Sequence, residues 1–448
     1  NMSRVVQLSV VALIGAFALG ILSGAAPTKS TDSLTTFNKH IAPIVFHHCA
    51  DCHHPGDVAP FSLLSYADAR KRAEQIETVL RDGFMPPWKS VEGHGRFLGE
   101  RRLKQEEIDL FARWVKEGAA EGDASDLPPA PTFREGWKLG TPDIIIKMPE
   151  PYRVKADGPD DFRNFVFDLS IPEGKYIKAA EFHPSNRVVV HHAALMIDAK
   201  SEARKKDEKD PGPGFQGDAL PGPHLPGCLA TWTPGRDAMP LPQGLSLPWT
   251  PGTAFILQLH LHPSGKEELE QSSIGFYLTD EPPRRSMVDL LLIDTKIDIA
   301  PGEREYASRD EFTLPLDVEV LGVFPHMHLI GRDIKITAQL PGHDKPESLL
   351  WINDWDFNWQ GFYQYEKPLK LPTGTKIVLE TIHDNSAENI RNPNNPPKRM
   401  KWGEQTTDEM SLAILQLVPQ REDDREKLAE HRRRVLSEVT AVRDDKQE

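Results

Sequence analysis

Residues 46–54, FHHCADCHH, gather four histidines around Cys49 and Cys52. Zinc, a redox disulfide and haem all use Cys-x-x-Cys. His53, directly after the second cysteine, decides among them, because two thioethers can fix a haem edge while that imidazole ligates its iron. The rivals fail on ligand count and setting. A structural zinc site needs four ligands, and the one further cysteine, Cys228, lies far along the chain. A thioredoxin-like dithiol belongs in a strand-to-helix turn, whereas these cysteines follow the helix-like FNKHIAPIVF. Met85, in GFMPPWK, is presented from a loop because Pro86 and Pro87 bar helix there, so its thioether can reach the open side of a haem. The alternative for Met85 is core filling. His40, His47, His48 and His54 read as solvated or supporting groups.

Three strand-like runs carry histidine pairs. In FILQLHLHP, alternation puts Ile256, Gln258, His260 and His262 on one face and Phe255, Leu257, Leu259 and Leu261 on the other. His326 and His328 in LGVFPHMHLIG likewise share a face, and two imidazoles at that spacing on a rigid strand can reach one ion. His191 and His192 in VVVHHAALMID point to opposite faces unless they sit at a strand end or a bulge. One such pair is weak evidence, since a lone His-x-His is more often hydrogen-bonded or exposed. Three pairs among 17 histidines, each after an apolar run, point to metal. Imidazole-rich sites with few carboxylates suit copper or zinc, and a thioether ligand favours copper.

These residues need elements to hold them. Residues 34–122 read as helices, with SYADARKRAEQIETVLRDG ending at Gly83 and LKQEEIDLFARWVKEG placing Ile108, Phe111, Ala112 and Val115 on one face. Residues 123–141 form a Pro-rich polar linker. Beyond it, short apolar runs of period two, bounded by Gly and Pro, predict antiparallel sandwiches, and their extent predicts two of them. The stretch from Asp198 to Trp249, rich in Pro and Gly, reads as a disordered loop or a functional wall. Residues 420–448 form a charged helix with a thin stripe, Leu428, Val435, Val439 and Val442, read as lightly docked. In WINDWDFNWQGFYQYE the aromatics at 351, 355, 357, 359, 363 and 365 all fall on odd positions, which predicts one strand face turned to a core, or a substrate platform.

With 448 residues the chain is long enough for roughly three domains. A net charge of -14 argues against nucleic acid and anionic membrane surfaces as partners. Arg4, the apolar run to Leu22 and the small residues up to Ala26 make residues 1–26 a signal peptide or a retained membrane anchor. Either places the rest outside the cytoplasm, in the periplasm or anchored facing it. Haem attachment would consume Cys49 and Cys52, leaving Cys228 unpaired and each core dependent on burial alone.

Residues 34–122 resemble a small class I-type cytochrome c, with Cys49, Cys52, His53 and Met85 in the matching places. From Pro142 to Pro419 the chain resembles the type II copper, ascorbate-dependent monooxygenases, the dopamine β-hydroxylase and peptidylglycine α-hydroxylating group. VVVHHAALMI matches its His-His strand, LQLHLHP its third histidine, FPHMHLIGRDI its His-x-His strand and TTDEMSLAILQLVP its methionine strand. The resemblance implies a small all-α haem domain followed by two all-β jelly-roll sandwiches, at 142–283 and 284–419. It implies one copper on His191, His192 and His260, which stores an electron, and a second on His326, His328 and Met410, which activates O2. The family is rich in disulfides, which this chain cannot form. His262 and His383 read as hydrogen-bonders that orient ligands, and His183, His224 and His343 as bland. No position matches the family's substrate-binding groups.

Hydroxylating a C–H bond with O2 needs single electrons. In the family ascorbate supplies them; here a haem c fused ahead of the copper domains is expected to feed the copper at His191, His192 and His260, replacing or relaying ascorbate or a redox partner protein. The expected activity is therefore monooxygenation of a small organic substrate with O2. The alternative is a periplasmic haem and copper electron-transfer or copper-handling protein that turns over no organic substrate.

Overall fold

The computed structural model describes residues 34–198, 202–217, 228–236 and 238–447. The leader expected at 1–26 and the side chain of Cys228 lie outside the described residues. Among those described, no helix is long and apolar enough to cross a membrane. The chain is mostly antiparallel β-sheet, preceded by a helical unit and followed by one long helix.

The helical unit comprises the π-turn Phe37–Ile41 and the helices Ala42–His48, Tyr66–Lys71, Ala73–Arg81 and Gln105–Lys116. Its own core gathers Phe37, Val45, Ile76, Leu80, Phe111 and Trp114. The helix predicted through residues 65–83 is broken at Arg72, whose backbone (φ -121°, ψ 14°) leaves the helical region. Ser65 starts the first piece by accepting the Asp68 amide proton at 3.1 Å, and Gly83, at φ +65°, ends the second in the left-handed conformation glycine tolerates.

The first sandwich packs the three-stranded sheet Ile144–Lys147, Ser273–Thr279, Tyr176–His183 against a five-stranded one. The latter runs Phe215–Gln216, Asp161–Asp168, Ala254–Leu261, Val190–Asp198, Cys228–Trp232. Phe255 and Phe276 meet edge to face between the sheets at 5.0 Å. The second sandwich packs Val288–Ile293, Ser411–Pro419, Val318–Met327 and Tyr363–Leu371 against Tyr306–Thr313, Lys376–His383, Gly331–Gln339 and Glu347–Ile352. The central strand Ala254–Leu261 is buried along its whole length. Its odd residues fill the first core; on the opposite face Ile256 packs with Met196, Ala203 and Phe215, while Gln258 and His260 line the cavity shared with the second sandwich.

Two boundaries differ from expectation. The loop after Arg81 leaves the helical unit and inserts Trp88 and Phe97 into the core of the second sandwich, where both rings meet Tyr363. Val91 and Leu98 donate backbone hydrogen bonds to Trp351 and Gln364, each at 2.8 Å. The tail helix Arg425–Gln447 is more than lightly docked. Leu428 enters the second core, and Val435, Leu436 and Val439 close a cluster over Leu291 and Ile293.

Candidate metal centres

His192 pairs with His260 across neighbouring strands, and the register shifts between Val190 and His192. That irregularity is the bulge the adjacent histidines require, and it turns both towards His260. Nδ1 of His192 lies 3.2 Å from Nδ1 of His191 and 3.3 Å from Nδ1 of His260. One ligand atom from each of the three lies within 4.8 Å of the others, the one such group of His, Cys, Asp or Glu among the described residues. With metal–nitrogen bonds of about 2.0–2.1 Å, donors around one ion stand about 3.3–3.6 Å apart, so the cluster is close to the size of an ion's coordination shell.

Electrostatics agree with the geometry. Burial first, and the His260 imidazole next, pull the His191 pKa down to about 3. His192 is held well below the ordinary imidazole range for the same reasons. These rings stay neutral and keep a lone pair, which a metal requires. Nε2–H of His260 donates to Asp160 Oδ2 at 2.9 Å, which leaves its Nδ1 unprotonated.

His326 stands near the end of strand Val318–Met327, and His328 follows directly beyond it. Their rings meet edge to face at 5.0 Å. Nδ1–H of His326 donates to Gln360 Oε1 and Nδ1–H of His328 to the Asp408 carbonyl, so both Nε2 atoms present lone pairs. Burial lowers both pKa values, that of His326 to about 3. Met410, 1% exposed, lines the same cavity as these two imidazoles, as do Met196 and Met239.

Both groups face one cavity of about 280 Å³ between the sandwiches, walled largely by apolar side chains. Phe357 stands between them, stacked on His191 at 4.8 Å and edge-on to His328 at 5.8 Å. The aromatic run is therefore not one strand face. Trp355, Tyr363 and Tyr365 are core, but Asp356 accepts the Asn358 amide proton at 3.0 Å and starts the turn Phe357–Trp359.

In the helical unit Cys49 and Cys52 are both free thiols, and burial pushes the Cys49 pKa up to about 12. His53 donates Nδ1–H to the Phe61 carbonyl at 3.0 Å, which leaves Nε2 as the nitrogen with the lone pair. Met85, Cys49 and Phe61 pack against the same helical core. Arg101 Nη1 lies 3.6 Å from Cys52 Sγ and donates to the Gly235 carbonyl. Two residues earlier, Thr233 Oγ1 donates to the Gln360 carbonyl at 3.0 Å, and the Gln360 side chain holds His326.

His262 bonds Asp160 at 2.7 Å, and His383 lies 3.8 Å from the buried Glu409. Sequence reasoning missed Asp160, Gln360 and Glu409. Each is a single polar residue in a turn beside a strand, and only the tertiary fold brings it to an imidazole.

No family model and no curated protein matches the chain. Among solved structures it is similar to the infectious bursal disease virus VP2 subviral particle, at 10% identity over 67% of this chain and 76% of that one, TM-score 0.19. It is similar also to PNGF-II, at 12% identity over 61% of this chain and 65% of that one, TM-score 0.27. Overlaps this loose carry no argument about function.

Proposed function

We propose that the chain is an exported haem- and copper-dependent monooxygenase of the type II copper, ascorbate-dependent kind, hydroxylating an aliphatic C–H bond of a small organic substrate. The observation that supports this reading is the pair of largely buried imidazole groups facing one cavity walled mostly by apolar side chains. Copper at both groups would supply one-electron chemistry towards O2, and a haem c on Cys49, Cys52, His53 and Met85, or ascorbate, the electrons. His191, His192 and His260 offer Nδ1 donors held by a bulged strand. His326 and His328 offer Nε2 donors, and Met410 a thioether that favours the reduced metal. The cavity walls are largely apolar, which suits an apolar substrate. Metal and haem analysis of exported protein tests the reading, with one haem and two copper ions per chain expected; zinc in their place removes the redox chemistry. Reduced protein should consume O2 faster when aliphatic or phenethyl compounds are added. Full metal loading without that acceleration would favour an electron-transfer or copper-handling role.

A further inference from the structure

Asp160, at the mouth of strand Asp161–Asp168, has a side chain only 8% exposed and receives three hydrogen bonds. Oδ2 accepts from His260 Nε2–H at 2.9 Å and from the Thr406 hydroxyl; Oδ1 accepts from His262 Nδ1–H at 2.7 Å. Two of these donors belong to the first sandwich. Thr406 belongs to the second, in the turn that runs from Trp402 to Glu409 and closes with Gly403 N–H on the Glu409 carbonyl at 3.1 Å. Glu409 is fully buried and accepts the backbone amide protons of His328 at 2.6 Å, Met410 at 2.8 Å and Ile330 at 3.2 Å. One short turn therefore carries both the group tied to His260 and the carboxylate that sets the backbone of His328 and Met410.

We propose that Asp160 and Thr406 couple the two metal centres, so that metal on His191, His192 and His260 strengthens metal binding at His326, His328 and Met410. The proposal rests on the metal reading above. With an ion held at His260 Nδ1 that ring would be fixed, and Asp160, bonded to it, would hold Thr406 and the turn that runs into Glu409 and Met410. Asp160 is a positioning residue, touching neither metal nor substrate. By linkage the effect is reciprocal.

Copper titrations of wild type, His191→Ala, Thr406→Val, the double variant and Thr406→Ser test this. The Cu–S signal in X-ray absorption reports copper beside Met410, electron paramagnetic resonance reports total Cu(II), and thermal midpoints confirm folding. Couplings between sites are typically about 5-fold or more in affinity. His191→Ala and Thr406→Val should each weaken copper binding beside Met410 by about that factor. The double variant should be no weaker than either, and Thr406→Ser, which keeps the hydroxyl, should match wild type. Unchanged binding in folded Thr406→Val, or effects that simply add in the double variant, would overturn the coupling and leave the metal reading standing. Wild type that retains no copper at either cluster would overturn both.

Discussion

An imidazole serves a metal only while unprotonated, and burial secures that state here. His191 and His326 have folded pKa values near 3, against about 6.5 in an unfolded chain. Between those values the unfolded state binds more protons, so the stability of the metal-free protein rises with pH through that window and is lost as the medium is acidified. The urea midpoint of metal-free protein should fall steadily from about pH 7 to pH 4; a flat profile would mean that these rings are solvated. Metal should be released over the same range, because protons compete for the same lone pairs. Met410→Leu separates packing from ligation. Leucine conserves most of the volume and should cost less than about 1.5 kcal/mol, while the soft donor disappears. Copper retained in the Cu(I) state should drop and the Cu–S signal vanish; persistence of that signal would assign the sulfur elsewhere.

At the scale of elements, the tail helix completes a core. Leu436, 1% exposed, and Val439 cover Leu291 and Ile293 on the strand whose outer face borders the cavity. Leu436→Ala should therefore cost about 2–5 kcal/mol, read as a shift of the denaturation midpoint, where a solvated helix would show almost none. The sequence pattern already displayed the apolar stripe on this helix, but the stripe's length is modest and what it covers is decided by a distant strand. The His-x-His faces were legible because strand period is strictly two. The His191 and His192 pair was legible only as a demand for a bulge, since nothing local marks the register shift beside Val190. The aromatic run misled because its odd spacing persists through a capped turn at Asp356, and that turn sends Phe357 to the histidines. Arg72 breaks a helix whose apolar spacing continues unbroken through it. Asp160 was illegible: its partners stand 100 and 246 positions away.

At the scale of the molecule, Trp88 and Phe97 tie the N-terminal portion into the core of the second sandwich. A chain of contacts leads from Cys52 by Arg101, Gly235, Thr233 and Gln360 to His326. The sequence suggested delivery to the His191 cluster; this chain of contacts leads instead to the other imidazole pair. With haem and copper bound as proposed, Thr233→Val, which cuts this route without touching an imidazole, should slow metal reduction without lowering metal content, measured by stopped-flow absorbance, and unchanged kinetics would remove that route. Phe97→Ala should cost about 3–5 kcal/mol and destabilise the second sandwich, although Phe97 belongs in chain order to the helical unit. Because Trp88 and Phe97 are rooted among the strands, the N-terminal helical portion has no freedom to swing on a tether between docked and undocked poses. Internal electron delivery should accordingly be indifferent to solvent viscosity, and a chimera that exchanges the N-terminal portion will succeed only if it leaves those two aromatic anchors in place.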